Sequence, residues 1–597
     1  MQDPASVADA TTAGGFLLVL AIVVPLAAAL LAFAAGGRNV ERISLAAMPL
    51  GLAIVVAIAV AMKRTEAPLI YLLGAWPPPL GVALRADGLS AVMMTVTAVV
   101  VCAVGVFART DFGTPAGSAE RRAPFAFWLL LLAIWGALNT VFVAGDLFTL
   151  YVALELLTFA AVPLVCLDGR AATLQAALRY LLFALLGSVL YLAGTVLLYG
   201  DYGTLDIVLL SQRVDAQPAT LVAAALMTVG LLAKTALFPL HLWLPRAHAG
   251  APAAGSAVLS ALVVKGSFFI AVRLWFDVMP GLPGPAAAQL IAALGAAAIV
   301  VGSIVALRQQ RLKLLIAYST LAQIGYLFLM FPLALDPASG GLESGGALAG
   351  GMVQAISHAT AKAAMFMSAG SIYATLGHDR LVDLGGIGRA LPISVLAFAV
   401  GGVALIGVPS SGAYLAKELL LHAAADTQQW WWTMVLHAGG AFTSSYLLLV
   451  LAHAFMPADS SVAVSARVPR SQELAALALA VCSLLLGLVH WEPYLPIPDD
   501  TVAKSNPLGL AAISKTLWPV LAGAVLAILL GRWREDWLPR AGGKGTAVEI
   551  LSRVRRAAVA LGTAVVRIDA VLREWSAAAF SLLVLSILFG AAMLARP

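Results

Sequence analysis

Glu155, Lys234, Lys265, Lys362 and Lys417 are ionisable residues inside stretches that are otherwise almost wholly apolar. Their contexts are DLFTLYVALELLTFA, VGLLAKTALFPLH, LSALVVKGSFFIAV, ISHATAKAAMFM and GVPSSGAYLAKELLL. A charge at the centre of a bilayer costs roughly 3 kcal/mol or more, so such residues face a polar interior and mark an ion or proton path. Five charges on five separate segments read as a relay rather than as one binding site. His358 stands one helical turn before Lys362, and its near-neutral unperturbed pKa suits an intermediate station. The competing reading is that each charge is half of a structural pair bracing two helices.

The segments that carry these charges must be membrane helices, and two of them look interrupted. Pro239 and His241 follow Lys234 in KTALFPLHLWLP, and Lys417 follows GVPSSG, where Pro409 and Gly412 break the helical pattern. Proline removes a helical hydrogen bond and frees a carbonyl, which in lipid must be satisfied again by protein or water. Interrupted spans at matching places in two halves mark inverted-repeat transporters with sites near the midplane. At roughly 20 apolar residues per crossing, the chain divides into about sixteen spans. Spans four to eight and nine to thirteen form the two repeats, and an odd number of spans inverts the second. Between the second and third spans, IYLLGAWPPPLGVALRADG predicts a short hairpin across a proline-rich turn.

Composition excludes most other classes. Hydrophobic residues make up 61% of 597 and charged residues only 11%, against about 45–50% and about 25% in soluble domains. The chain is an all-α polytopic membrane protein. Cys102, Cys166 and Cys482 are too far apart to suggest a disulfide framework or an iron–sulfur site, and no phosphate-binding glycine motif occurs. No cofactor and no metal is expected on this chain. The net charge of +6 reads as loop arginines that set topology, not as a nucleic-acid surface. One set of loops holds Arg38, Arg109, Arg121, Arg170, Arg246, Arg311 and Arg389, and the opposite set is poorer in Lys and Arg. By the positive-inside rule both termini lie outside a bacterial-type inner membrane. The acidic start, MQDPASVADATT, lacks a positive segment, so the first apolar stretch reads as a retained helix.

Several of these stretches occur in order on successive helices: DLFTLYVALELLTF, GLLAKTALFPLHLWLPRAHAGAP, SALVVKGSFFIAVRLWF, LKLLIAYSTLAQIGY, SHATAKAAMFMSAGSI and GGIGRALP…GGVALIGVPSSGAYLAKELL. Over roughly residues 80–455 the chain resembles the antiporter-like subunits of respiratory complex I, of Mrp-type cation/proton antiporters and of energy-converting hydrogenases. The resemblance implies fourteen core helices. It also implies a fifth-helix glutamate paired with a seventh-helix lysine, then an eighth-helix lysine and a twelfth-helix lysine or glutamate. Glu155, Lys234, Lys265 and Lys417 occupy those places, and His358 and Lys362 match the family's histidine and lysine of the eleventh helix. One departure is Arg246 in WLPRAH, where complex I subunits usually carry an acidic residue; a basic residue is more similar to the hydrogenase and Mrp branches.

The chemistry follows from general principles. Desolvation pushes a buried lysine's pKa down and a nearby carboxylate pushes it back up, so opening or closing a Glu155–Lys234 pair switches Lys234 between releasing and holding a proton. Lys265 and His358 would carry that proton laterally, and Lys417 would pass it out. Arg179, inside the sixth span, reads as a brace because a guanidinium does not titrate. His241 and His248 are auxiliary candidates, while Glu418, His437 and His453 read as interfacial.

Beyond a charged linker, Ala547 to Ser576 places Leu551, Val554, Ala558, Leu561, Val565, Ile568, Leu572 and Trp575 at helical spacing. Arg553, Arg555, Arg556, Arg567, Asp569 and Arg573 fall elsewhere on the helix surface. Such a basic amphipathic helix lies along the membrane and, at ~42 Å, is long enough to reach one neighbouring subunit. The expected division is 1–122, N-terminal helices and a periplasmic hairpin; 123–280 and 281–456, the two inverted repeats; 457–540, C-terminal helices; and 541–597, the lateral helix and a last span. The function expected is proton translocation within a redox-driven complex of NADH:quinone oxidoreductase or membrane-bound hydrogenase type, whose redox centres lie on other chains. A subunit of an Mrp-type Na+(K+)/H+ antiporter is the alternative, and an energy-coupling subunit of an inorganic-carbon uptake complex a further one. Expected partners are other membrane subunits, the lipid bilayer, protons and Na+.

Overall fold

The computed structural model describes residues 10–115, 121–335, 344–457, 467–498, 510–531, 533 and 546–595. Most of the acidic start and of the linker before the C-terminal helix lie outside the described residues. Among the described residues the architecture is helical, apart from one small hairpin.

Thirteen helices among the described residues are long and apolar enough to cross a membrane. The first seven are α1 (Phe16–Ala35), α2 (Asn39–Thr65), α3 (Gly88–Phe112), α4 (Arg122–Val143), α5 (Leu147–Ala161), α6 (Ala171–Tyr202) and α7 (Pro218–Thr235). The short α8 (Leu244–Gly250) follows a break. Then come α9 (Ala253–Val278), α10 (Gly284–Leu307) and α11 (Leu312–Ala334). The 32-residue α12 (Gly345–Leu376) is long enough to cross but is diluted by Gln354, Ser357, His358, Thr360 and Lys362. Next are α13 (Pro392–Ile406), α14 (Gly412–Asp426), α15 (Trp430–Phe455) and α16 (Arg470–Leu485). The chain closes with α17 (Leu510–Leu530), α18 (Thr546–Leu572) and α19 (Trp575–Leu594).

The proline-rich turn between α2 and α3 is flanked by strands β1 (Leu69–Leu72) and β2 (Ala83–Ala86), antiparallel with Leu69 opposite Ala86. Acidic side chains start the next helices. Asp87 accepts from the Ser90 amide at 3.0 Å, and Asp146 from the Phe148 and Thr149 amides at 3.0 and 2.8 Å. These side chains satisfy amides that a helix leaves free at its N-terminus. Asp87 also holds both terminal nitrogens of Arg273 on α9, tying α3 to α9. Burial alone would raise the Asp87 pKa; the charge and hydrogen bonds of Arg273 outweigh it and hold the carboxyl below its usual value.

Glycines bring helices together at two crossings. A Cβ placed on Gly187 of α6 would lie 2.7 Å from the Gly230 carbonyl of α7, and one on Gly230 would lie 2.3 Å from the Gly187 carbonyl. Gly295 of α10 and Gly325 of α11 repeat the arrangement at 2.6 and 2.3 Å. Without a hydrophobic force between helices in lipid, close backbone approach supplies the packing. Gly230 stands one turn before Lys234, so this contact sets the distance of that lysine from α6.

The C-terminal helix differs from the expectation at Asp569, while its apolar stripe faces away from the bundle. Val554, Leu561 and Ile568 are exposed, whereas Gly562 and Asp569 are buried. The face turned to the bundle packs on α10 and α17. Asp569, expected on the surface, points inward because polar partners wait for it there.

Gly230→Ala is expected to destabilise the fold by about 2 kcal/mol, since over-packing forces the backbones apart. Gly200→Ala on α6, where a new Cβ meets nothing within 4 Å, serves as the control. Thermal unfolding in detergent checks this; equal midpoints for the two variants would contradict the close crossing.

Candidate functional site

The seventh helix ends at Thr235 because the backbone turns there. Ala236 adopts a left-handed conformation with φ of 60° and Pro239 follows. The break leaves carbonyls without helical donors, and the buried Trp243 indole donates to the Ala233 carbonyl at 3.2 Å. Lys234 therefore sits in the last turn of α7, where carbonyls are free and cations are favoured. Its Nζ donates to Glu155 Oε1 and to Thr158 Oγ1, both at 2.9 Å. Ser188 of α6 donates to the same Glu155 oxygen. Glu155 Oε2 is buried without a partner among the described residues. The expected pair is present, with one carboxylate oxygen in reserve.

Lys265 lies on α9 two residues after a π-helical stretch, Leu259–Val263. Such a stretch frees a carbonyl, and Lys265 Nζ donates to the Ser260 carbonyl at 2.6 Å. The same nitrogen contacts His358 Nδ1 directly. His358 Nε2 is buried without a partner among the described residues. Lys362, one turn further along α12, donates to Ser319 Oγ of α11 and stands over the Tyr446 ring, 5.7 Å from its centroid. Lys234 and Lys265 do not touch. Between their helices Thr235 donates to Ser267 at 2.9 Å, two residues from Lys265.

The twelfth-helix break is built like the seventh. The α13 helix stops at Gly407, with φ of 89°, and after Pro409 the Ser411 hydroxyl caps α14 by accepting from the Tyr414 amide at 3.1 Å. Lys417 lies on the second piece, half-buried, and does not contact Lys362. Polar side chains fill the interval: Gln323 donates to Tyr446 at 3.3 Å and to Thr443 at 3.0 Å, and Gln354 donates to Gln323 at 2.9 Å. Gln354 and Lys417 line one cavity of about 20 Å³, room for about one water.

The remaining candidates lie off this line. Arg179 neighbours Arg246 and its Nη1 is buried without a partner among the described residues. His248 stacks on Phe366 with centroids 4.8 Å apart, and neither ring nitrogen is bonded among the described residues. Glu418 pairs with Lys515 at 3.1 Å, His437 lies near Trp518, and His453 Nδ1 lies 2.7 Å from the Leu449 carbonyl oxygen.

His241, just past the break, is taken by a residue that sequence reasoning placed on the surface. Its Nε2 lies 2.8 Å from Asp569 Oδ1 of α18, and Asp569 Oδ2 accepts from Tyr318 at 2.8 Å and Arg573 at 2.9 Å. Burial pushes the Asp569 pKa up, but the hydrogen bond and charge of His241 and the charge of Arg573 outweigh it and hold it below the usual value. The only sequence signal was Asp569 four residues before Arg573. Ser188, Thr158, Ser319, Gln323 and Gln354 were likewise unmarked, because neutral polar residues are common in membrane helices.

A depressed folded-state pKa stabilises above the unfolded value and is lost as pH falls through the folded one. Docking of α18 should therefore hold at neutral pH and weaken below about pH 4. Asp569→Ala should weaken it by about 3 kcal/mol at pH 7 by leaving buried partners unpaired. Tryptic cleavage at Arg555 and Arg556 measures this; unchanged cleavage in Asp569→Ala would contradict the contact's weight.

Residues 144–443 match the family NADH:quinone oxidoreductase/Mrp antiporter, TM. The chain is 31% identical over 455 residues to NADH-quinone oxidoreductase subunit N of Desulforudis audaxviator, covering 73% of this chain and 87% of that protein. It is 30% identical to a Na(+)/H(+) antiporter subunit of Alkalihalophilus pseudofirmus, covering 59% and 69%. Its fold matches a chain of the Mrp complex from Dietzia sp. DQ12-45-1b with a TM-score of 0.72 and 24% identity, covering 84% of this chain and 99% of that one. The matched segment contains every residue from Glu155 to Lys417, and the chain belongs to the NADH:quinone oxidoreductase/Mrp antiporter transmembrane family.

Proposed function

We propose that the chain is the proton-translocating, antiporter-like membrane subunit of a multisubunit redox-driven complex, of NADH:quinone oxidoreductase or membrane-bound hydrogenase type. The observation that carries this reading is the file of buried and half-buried ionisable groups from Glu155–Lys234 through Lys265–His358 and Lys362 toward Lys417, with Lys234, Lys265 and Lys362 each resting on a hydroxyl or a freed carbonyl. Glu155 holds or releases Lys234. The Thr235–Ser267 bridge, with water, carries the proton to Lys265 and His358. Lys362, Tyr446, Gln323 and Gln354 lead it to Lys417. Electron transfer belongs to partner chains.

On this reading the chain crosses sixteen times. Residues 123–280 and 281–456 are inverted repeats, 1–122 and 457–540 flank them, and 541–597 form a lateral helix and a last span. Both termini lie outside a bacterial-type inner membrane. Other membrane subunits of the complex are its partners. A second reading, a subunit of an Mrp-type Na+(K+)/H+ antiporter, is favoured by Arg246 standing where complex I subunits usually carry an acidic residue.

Glu155→Gln removes a titrating group at nearly constant volume and Lys234→Ala removes its partner at the end of α7, so both variants should assemble with partners and lose at least tenfold in proton flux, on the order of the loss of a general acid or base. A pH-sensitive dye in inverted vesicles reads the flux, and repeating it with and without Na+ separates the two readings. Native flux in a fully assembled double variant would sink the relay.

A further inference from the structure

A cavity of about 390 Å³ opens among the first turn of α6, the short α8 and the start of α11. Arg170, Thr173, Gln175, Arg246 and Arg311 line it. Two of the arginines have carboxylate partners: Arg170 holds Asp168, and Arg311 Nε donates to Asp379 at 2.8 Å. Arg246 has no ion pair among the described residues. Its charged neighbours are Arg179, Arg573 and Glu574, and burial together with the two like charges pushes its guanidinium below the usual value. Lys313 lies within electrostatic reach of Arg311, Arg170, Asp168 and Asp379. Three arginines thus line the space, with Lys313, Arg179 and Arg573 in electrostatic reach of them, against four carboxylates, Asp168, Asp379, Glu574 and Asp569.

The helices add to this field. Both α6 and α11 begin at the rim, with Arg170 and Arg311 immediately before their first residues, so two positive dipole ends face the same region, although Asp379 already takes the Leu312 and Lys313 amides of α11. One further feature decides the class of ligand. From the rim, Leu174, Leu178, Leu182 and Leu186 run at four-residue intervals down the exposed face of α6. A basic cavity that continues into an apolar ridge matches a molecule with a phosphate at one end and hydrocarbon at the other. Free phosphate would use the cavity and leave the ridge idle.

We propose that this cavity binds the phosphate headgroup of an anionic phospholipid, one carrying two phosphates by preference, with its acyl chains along the Leu174–Leu186 ridge. Basic pockets between membrane helices recognise such headgroups, and each arginine near the lipid surface contributes about 1 kcal/mol. Arg170 and Arg246 are the natural residues to alter, because the Arg170–Asp168 pair is exposed whereas Arg311 holds the buried Asp379.

The full chain in detergent, titrated with fluorescent cardiolipin, tests the site. Arg170→Gln/Arg246→Gln should weaken binding about thirtyfold. Arg121→Gln/Arg122→Gln, with the same loss of charge, should leave it unchanged, and phosphatidylcholine should bind both forms equally weakly. Arg170→Lys/Arg246→Lys should retain most of the affinity, which separates lost charge from lost folding. Equal cardiolipin affinity in the glutamine variant and the native chain would overturn the proposal. So would displacement of cardiolipin by millimolar inorganic phosphate, which would assign the cavity to a free anion. Loss of a partner subunit from the glutamine variant with cardiolipin binding intact would assign it to a protein contact instead.

Discussion

The cost of holding an ammonium group away from water governs the architecture. A buried charge is tolerated only when hydrogen bonds replace its hydration. Lys234, Lys265 and Lys362 are each supplied with a specific acceptor: a carboxylate and a threonine, a carbonyl and a histidine, and a serine. In an unbroken apolar helix carbonyls are committed to the helix itself. The structure obtains a free one by winding a π-helical stretch before Lys265, whose Nζ takes the Ser260 carbonyl, and it interrupts helices beside Lys234 and before Lys417, near Pro239 and Pro409. The irregular backbone is thus tied to where the charges are, and it stays inside the protein, where exposed polar backbone in lipid would be most costly.

Much of this was legible in the sequence. An isolated lysine in an apolar stretch is a strong signal because its cost is large, so Glu155, Lys234, Lys265, Lys362 and Lys417 stood out individually. The proline breaks were legible because proline cannot donate a backbone hydrogen bond, and the Leu69–Ala86 hairpin because turn residues separate two short apolar runs. The links between the charges were not legible. Thr235 to Ser267 and Gln354 to Gln323 are contacts between helices, and nothing in a serine or glutamine on one helix reveals what faces it on another. The break on each side of Pro239 also needed Trp243 to cap it, a role no spacing predicts.

The C-terminal helix shows how helical periodicity can give an element and its apolar stripe without revealing what its polar side meets. Counting apolar residues predicts a stripe through Val554, Leu561 and Ile568, and those residues share the exposed face. In water, an apolar stripe turns inward; at a membrane the hydrocarbon lies outside, and the inward face can be chosen by polar contacts. Asp569 makes that choice by meeting His241, Tyr318 and Arg573. The contact joins the C-terminal helix to the segment just beyond Pro239, so the broken seventh helix is held from both sides: by the Glu155–Lys234 pair within the bundle and by Asp569 at its edge.

Continuity of the relay depends most heavily on the centre of the chain, where Lys265 and His358 meet. The most direct measurement is the proton flux of proteoliposomes containing the assembled complex with Lys265→Met, a substitution that keeps the side chain's length and removes its proton. A relay through Lys265 requires a flux at least tenfold below native with the partner subunits retained in native stoichiometry. Native flux from that assembled variant would show that protons cross by a route that avoids the buried lysines.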